Sequence, residues 1–189
     1  LRETICPELS FKQMDELAAQ VPAGSDGVVF LPYMAGERSP IWNPNASGVF
    51  FGLNYAKTRG HLIHAVMEGV GFALRHNLEA AQEAGAQALS LRSIGGGANS
   101  RIWTQIKADI TGRVMHVPAS DTATTLGAAM LAGVGTGEYP SYADACAKTV
   151  KINRTHEPDP RHRPIYDTRY GQYRELYARL QPMMISDGQ

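Results

Sequence analysis

The chain has 189 residues, 43% hydrophobic and 19% charged, and its 18 Lys and Arg balance 18 Asp and Glu to a formal net charge of zero. That profile reads as an ordinary soluble globular protein, and with no basic stripe it excludes a nucleic-acid footprint. The length suits one core, at most about one and a half domains.

Residues 1–20 carry an interrupted apolar face of Leu1, Ile5, Leu9, Met14, Leu17 and Ala18. Pro7 breaks it, which predicts two short helices. Pro22 to Gly27 is a turn cluster, and Gly27 to Met34 (GVVFLPYM) reads as a buried strand. The proline-rich loop Ala35 to Gly48 places Glu37 beside Arg38. Those two residues are either a surface ion pair of little worth or part of a loop lining a cleft.

Val49 to Leu53 is a short strand, and Thr58 caps a long helix through about Ala84, closed by Gly85. Leu62, Val66, Val70, Ala73, Leu74 and Leu78 are its expected buried stripe. His64 and Glu68 within it read as surface or satisfied core groups, and neither is assigned a role.

The chain is organised around Ala88 to Gly112, ALSLRSIGGGANSRIWTQIKADITG. Leu89 to Ile94 is strand-like, and Gly95, Gly96 and Gly97 follow it. Asn99 or Ser100 then stands where a helix cap belongs. Ile102, Trp103, Ile106 and Ile110 recur at helical spacing, with Gly112 as the stop. Glycine lets a backbone take positive φ and lets a flat ligand lie against it. The helix start offers unpaired N–H groups to polar or anionic atoms. Close packing alone explains many such turns, so both readings stand. A bulky β-branched residue at Gly96 is expected to block both the turn and a ligand.

Arg113 to Pro118 is another strand, with His116 facing away from the core. Asp121 to Thr125 is a polar turn, and Leu126 to Gly133 starts a small-residue helix whose glycines and alanines favour close packing. Ser141 and Asp144 form a capping box. Val150 to Ile152 is a final edge strand, and Pro158 to Pro164 a turn. Tyr166, Tyr170, Tyr173 and Tyr177 then line one face of a helix that docks on the body. Strands alternating with helices make the fold class α/β.

Cys6 and Cys146 match no metal spacing or disulfide framework, which suits a reducing, cytoplasmic setting. The longest apolar stretch, near Gly127 to Gly135, is about half what a membrane span needs, and no signal peptide is evident. The chain starts at Leu1 in mid-pattern, as a fragment of a longer protein would.

Three separated motifs carry a family resemblance: FLPYMAGERSPIWNPNASGVFFGL (Phe30 to Leu53), GGGANSRIWTQIKADITG (Gly95 to Gly112) and TLGAAMLAGVGTG (Thr125 to Gly137). In order and spacing the chain resembles the C-terminal part of the FGGY carbohydrate kinases, most nearly their xylulokinase members. The resemblance implies an actin-like (ribonuclease H-like) ATPase domain, residues 1–189, forming the C-terminal half of a two-domain sugar kinase and incomplete at its N-terminal edge. It implies transfer of the γ-phosphoryl group of ATP to a sugar hydroxyl, D-xylulose in the nearest members, with Mg2+ held mainly through the phosphates and the absent domain. The sugar and the catalytic Asp belong to that N-terminal domain, so the fragment alone is expected to be inactive.

Carried over residue by residue, Gly95, Gly96 and Gly97 match the turn against adenosine. Asn99 and Ser100 follow it, and either is a candidate contact to base or ribose. No catalytic or metal-binding residue is assigned here. Thr122 and Thr125 depart from the family pattern, with Asp121 one step ahead of the usual Glu, which bears on the substrate. A kinase for glycerol, ribulose or another polyol is the alternative. A dinucleotide-binding oxidoreductase would need spaced glycines and an acid ending the next strand, where His116 stands instead. The resemblance supplies ATP or ADP as partners, with the sugar held by the absent domain. No nucleic acid or membrane partner is expected. Apolar surface exposed at the missing edge favours self-association, a homodimer among its forms.

Overall fold

β1 (Val29–Leu31) is buried on both faces, which is why its sequence lacks a polar side. Val28 and Phe30 pack with Ala65, while Val29, Leu31 and Tyr33 enter the main core. The computed structural model describes residues 2–120 and 122–185, so Leu1 and Asp121 lie outside the described residues. β1 pairs antiparallel with β2 (Val49–Phe51), setting Phe30 opposite Phe50 with ring centroids 4.4 Å apart.

Two short helices precede this hairpin, as Pro7 requires: α1 (Arg2–Ile5) and α2 (Phe11–Ala18). Ser10 caps α2, accepting the Gln13 N–H at 3.3 Å while Gln13 Oε1 accepts the Ser10 N–H at 2.9 Å.

The central helix is α3 (Arg59–Glu83), entered at Thr58 and followed by Gly85 in the left-handed region. The stripe expected on it is not the buried one. Leu62, Val66, Val70, Ala73, Leu74 and Leu78 are all half-buried, whereas Ile63, His64, Ala65, Met67, Glu68 and Phe72 are buried. The reason is that α3 packs against α2, β1 and α4 at once, so a single-face pattern does not describe it. Gly69 permits one of these approaches, since a Cβ there would sit 2.5 Å from the Phe30 carbonyl oxygen.

His64 and Glu68 form a buried polar hub. Glu68 accepts the Gly24 N–H at 2.7 Å and the Ser25 hydroxyl at 2.6 Å. His64 Nδ1 lies 2.9 Å from the Ala18 carbonyl oxygen, and its Nε2 is 3.2 Å from Glu68 Oε1. Burial works against the charged imidazole, but Glu68 and the Ala18 carbonyl outweigh it and hold the His64 pKa above the ordinary histidine value.

A second sheet has the order β3-β4-β5, built from β3 (Ser90–Arg92), β4 (Val114–Pro118) and β5 (Ile152–His156). β3 and β4 are parallel and joined through α4 (Arg101–Thr111), while β5 is antiparallel to β4. Met115 and Val117 are buried, and His116 turns outward to Thr155 at 3.1 Å. The last strand lies at Ile152–His156 rather than Val150 to Ile152, because the Val150 N–H still donates the helix-closing bond to the Cys146 carbonyl.

α5 (Ala123–Gly135) starts earlier than expected, so Ala123 to Thr125 are helical rather than a turn, with Thr122 at the cap. It buries no residue, and packs chiefly on α6 (Tyr142–Thr149). Its small residues therefore do not serve core packing among the described residues. Ser141 caps α6 as expected, accepting the Asp144 N–H at 3.1 Å. Among the described residues no helix is long and apolar enough to cross a membrane, and Cys6 and Cys146 are both free.

α7 (Arg163–Leu180) takes Pro164 into its first turn and docks through tyrosines. Tyr166, Tyr170 and Tyr173 are buried around Phe72, whose ring centroid lies 5.5 Å from that of Tyr173. The Tyr33 and Tyr173 hydroxyls meet at 2.5 Å, and burial pushes the Tyr33 pKa up to about 12.

Candidate functional site

The glycine turn is a 3-10 turn over Gly96–Ala98 between β3 and α4. Only Gly95 needs to be glycine for conformational reasons, with φ 78° and ψ −176°. Gly96 and Gly97 do not have positive φ, which corrects the expectation for the run as a whole. Gly97 is constrained by contact, since a Cβ there would meet the Trp103 ring at 3.0 Å. Beside Gly95 and Gly96 a Cβ would meet nothing within 4 Å.

The turn is held from behind. The Ala98 N–H donates to Gly95 O at 2.9 Å and the Asn99 N–H to Gly96 O at 3.1 Å. The Arg154 guanidinium on β5 donates to the Ala98 carbonyl. Trp103 ties the turn to α3, its indole N–H donating to the Met67 carbonyl at 3.1 Å. Lys107 covers the same ring, with Nζ 4.8 Å from its centroid, and burial holds that lysine's pKa below its usual value.

The sequence left two candidates for the helix cap, and Ser100 is the cap. Its Oγ accepts the Trp103 N–H at 3.1 Å. Asn99 is exposed, and among the described residues its side-chain amide makes no hydrogen bond within the chain.

Gly96, Gly97, Asn99 and Ser100 open together onto a cleft of about 980 Å³. Gly95 is exposed and is not among the residues that line it. The cleft's apolar floor comes from Ile63 and Met67 of α3, with Trp103. Phe11 and Met14 of α2 and Arg2 of α1 also line the cleft. These wall residues were missed from sequence because they lie more than eighty positions before the turn. The one available signal was the apolar face of α2, with Phe11 at its head.

Glu37 and Arg38 do neither thing expected of them. Glu37 Oε1 accepts the backbone N–H groups of Arg38 at 2.7 Å and Ser39 at 3.2 Å, so it shapes its own loop. Neither residue lines the cleft. The loop instead straps α7 and α3, through Asn43 to the Tyr177 hydroxyl at 3.0 Å and Asn77 to the Ser39 carbonyl at 3.0 Å.

Residues 2–136 match the C-terminal domain of the FGGY family of carbohydrate kinases. The chain belongs to that family. It is 31% identical over 183 residues to a xylulose kinase of Staphylococcus epidermidis, covering 97% of this chain and 37% of that protein. It is 36% identical over 174 residues to a gluconokinase of Bacillus subtilis, covering 92% of this chain and 32% of that one. The crystal structure of a xylulose kinase from Rhodospirillum rubrum superposes with a TM-score of 0.85 at 37% identity, over 96% of this chain and 37% of that one. The chain thus spans about a third of the length of the relatives it matches. Its fold is the α/β fold of the actin-like ATPases, as the FGGY C-terminal domain takes it in sugar kinases.

Proposed function

We propose that residues 1–189 are the nucleotide-binding C-terminal domain of an ATP-dependent carbohydrate kinase, acting on a ketopentose such as D-xylulose. The observation that carries this reading is the glycine turn of an FGGY chain opening, with an uncommitted Asn99 amide, onto a cleft of about 980 Å³. That volume lies at the upper end of ordinary small-ligand pockets, roughly 300–1,000 Å³.

In this reading the purine and ribose of ATP lie against Gly95, Gly96 and Gly97, where no Cβ intervenes. Asn99, not Ser100, supplies the amide contact to base or ribose, because the Ser100 oxygen already accepts the helix-closing N–H. Phosphoryl transfer rests mostly on positioning and charge neutralisation. The bond from the γ-phosphorus to the β,γ-bridging oxygen breaks, a sugar oxygen takes the phosphoryl group, and the hydroxyl proton passes to a base. No residue of this chain is assigned as that base. Mg2+ is assigned to the nucleotide phosphates and to the N-terminal domain. The chain by itself is accordingly predicted to bind nucleotide without turning over.

Xylulose as the acceptor is supported by the printed names of the relatives, and the 36% identity to a gluconokinase favours gluconate as the second reading. Comparing ADP release by the whole enzyme with D-xylulose and with gluconate separates the two. For the chain itself, calorimetric titration with MgADP and with NAD+ tests the class. The kinase reading expects heat with MgADP alone, and preference for NAD+ would overturn it. The cytoplasm is the proposed setting, and the unburied α5 is the proposed face for self-association.

A further inference from the structure

Phe11 is 69% exposed although it heads the same α2 face on which Met14 and Ala18 are buried. It therefore extends the apolar stripe past the core and into the cleft, which it lines together with the glycine turn. The Arg2 guanidinium sits 5.1 Å from the ring centroid and covers one face of the ring. Arg2 is itself fixed, with Nε donating to the Leu9 carbonyl at 3.0 Å. An aromatic ring with one face backed by Arg2, lining the same cleft as a backbone without Cβ atoms at Gly96 and Gly97, suits a flat, π-rich ligand.

We infer that Phe11 is the stacking residue for the nucleobase, with Arg2 backing the ring. This rests on the nucleotide reading of the cleft and adds to it a residue that selects for the base rather than for the phosphates. Stacking on an aromatic ring is worth on the order of 1–3 kcal/mol per base by alanine substitution, which is about tenfold in affinity near its lower end. Because Phe11 is exposed at the first position of α2, replacing it leaves the core intact.

The test is calorimetric titration of the 189-residue chain and of Phe11→Ala and Phe11→Trp variants with MgADP and with adenosine. Phe11→Ala should lose about tenfold in affinity for both ligands with an unchanged urea midpoint. Phe11→Trp should keep the parent affinity, and its added indole emission should change on saturation. Parent-like binding by Phe11→Ala, or emission from Phe11→Trp indifferent to MgADP, would overturn the inference while leaving the nucleotide reading intact. A parent chain that binds neither ligand would overturn the nucleotide reading itself.

Discussion

Replacing Glu68 with alanine should be among the most damaging single changes outside the apolar core. Glu68 is 1% exposed, and it serves Gly24 at 2.7 Å, Ser25 at 2.6 Å and His64 at 3.2 Å. Its loss leaves two buried donors without an acceptor, each costing roughly 1–3 kcal/mol. It also leaves a buried imidazole without its counter-charge. Relief of the desolvated carboxylate offsets part of this, so the net loss should be about 3–5 kcal/mol, as for other buried pairs broken on one side. For a chain of this size that lowers Tm by roughly 6 to 20 °C. The segment released carries Ser25, at φ 48° and bonded to Glu68, and the adjoining Asp26, also at φ 48°. Urea unfolding followed by far-UV circular dichroism reads the change. Glu68→Gln, which keeps one acceptor oxygen, should lose less than Glu68→Ala. The two variants also test the charge. Since the folded-state pKa of His64 is raised, its stabilisation is fully present below the unfolded value of about 6.5 and fades as pH climbs through the folded value. The stability gap between parent and Glu68→Gln should therefore be wider at pH 6 than at pH 8.5. A loss under about 1 kcal/mol in Glu68→Ala, or a gap that widens with pH, would refute this account of the hub.

Gly69→Ala puts a Cβ 2.5 Å from the Phe30 carbonyl oxygen. Despite alanine's better helix propensity it should destabilise by roughly 1–3 kcal/mol through overpacking between α3 and β1, read as a lower urea midpoint. Tyr173→Phe removes one partner of the 2.5 Å hydroxyl pair with Tyr33. It should cost about 1 kcal/mol, and the Tyr33 titration, followed by absorbance at alkaline pH, should change in the variant. Gly95→Ala forces a side chain into φ 78°. It should cost on the order of 1–3 kcal/mol, whereas Gly96→Ala, with open space beside it, should leave the midpoint unchanged.

The elements most legible in the sequence were those fixed by local chemistry. Pro7 splits the first helices, Ser141 caps α6, and Gly112 closes α4 at φ 62°. The tyrosine stripe of α7 was legible because its spacing matches one helical face and nothing competes for it. What failed was set by packing between distant segments. α3 is surrounded, so its apolar periodicity did not single out the face around Ile63, Met67 and Phe72. Glycine chemistry alone could not separate Gly95, which needs its φ, from Gly97, which needs clearance for Trp103. The turn residues of the candidate site were visible as a motif, and the α2 residues that share their cleft were not. Phe11 and Met14 reach it only through the tertiary fold.

The central claim is that the glycine turn receives the nucleotide, and Gly96 gives the cleanest way to test it. Its φ is not positive and a Cβ would meet nothing within 4 Å, so Gly96→Val should fold with the parent's urea midpoint while its side chain occupies the ligand's space. Titrating both proteins with MgADP decides the matter. The account predicts that the parent binds and that the folded variant loses at least tenfold in affinity. Equal binding by parent and variant would contradict it.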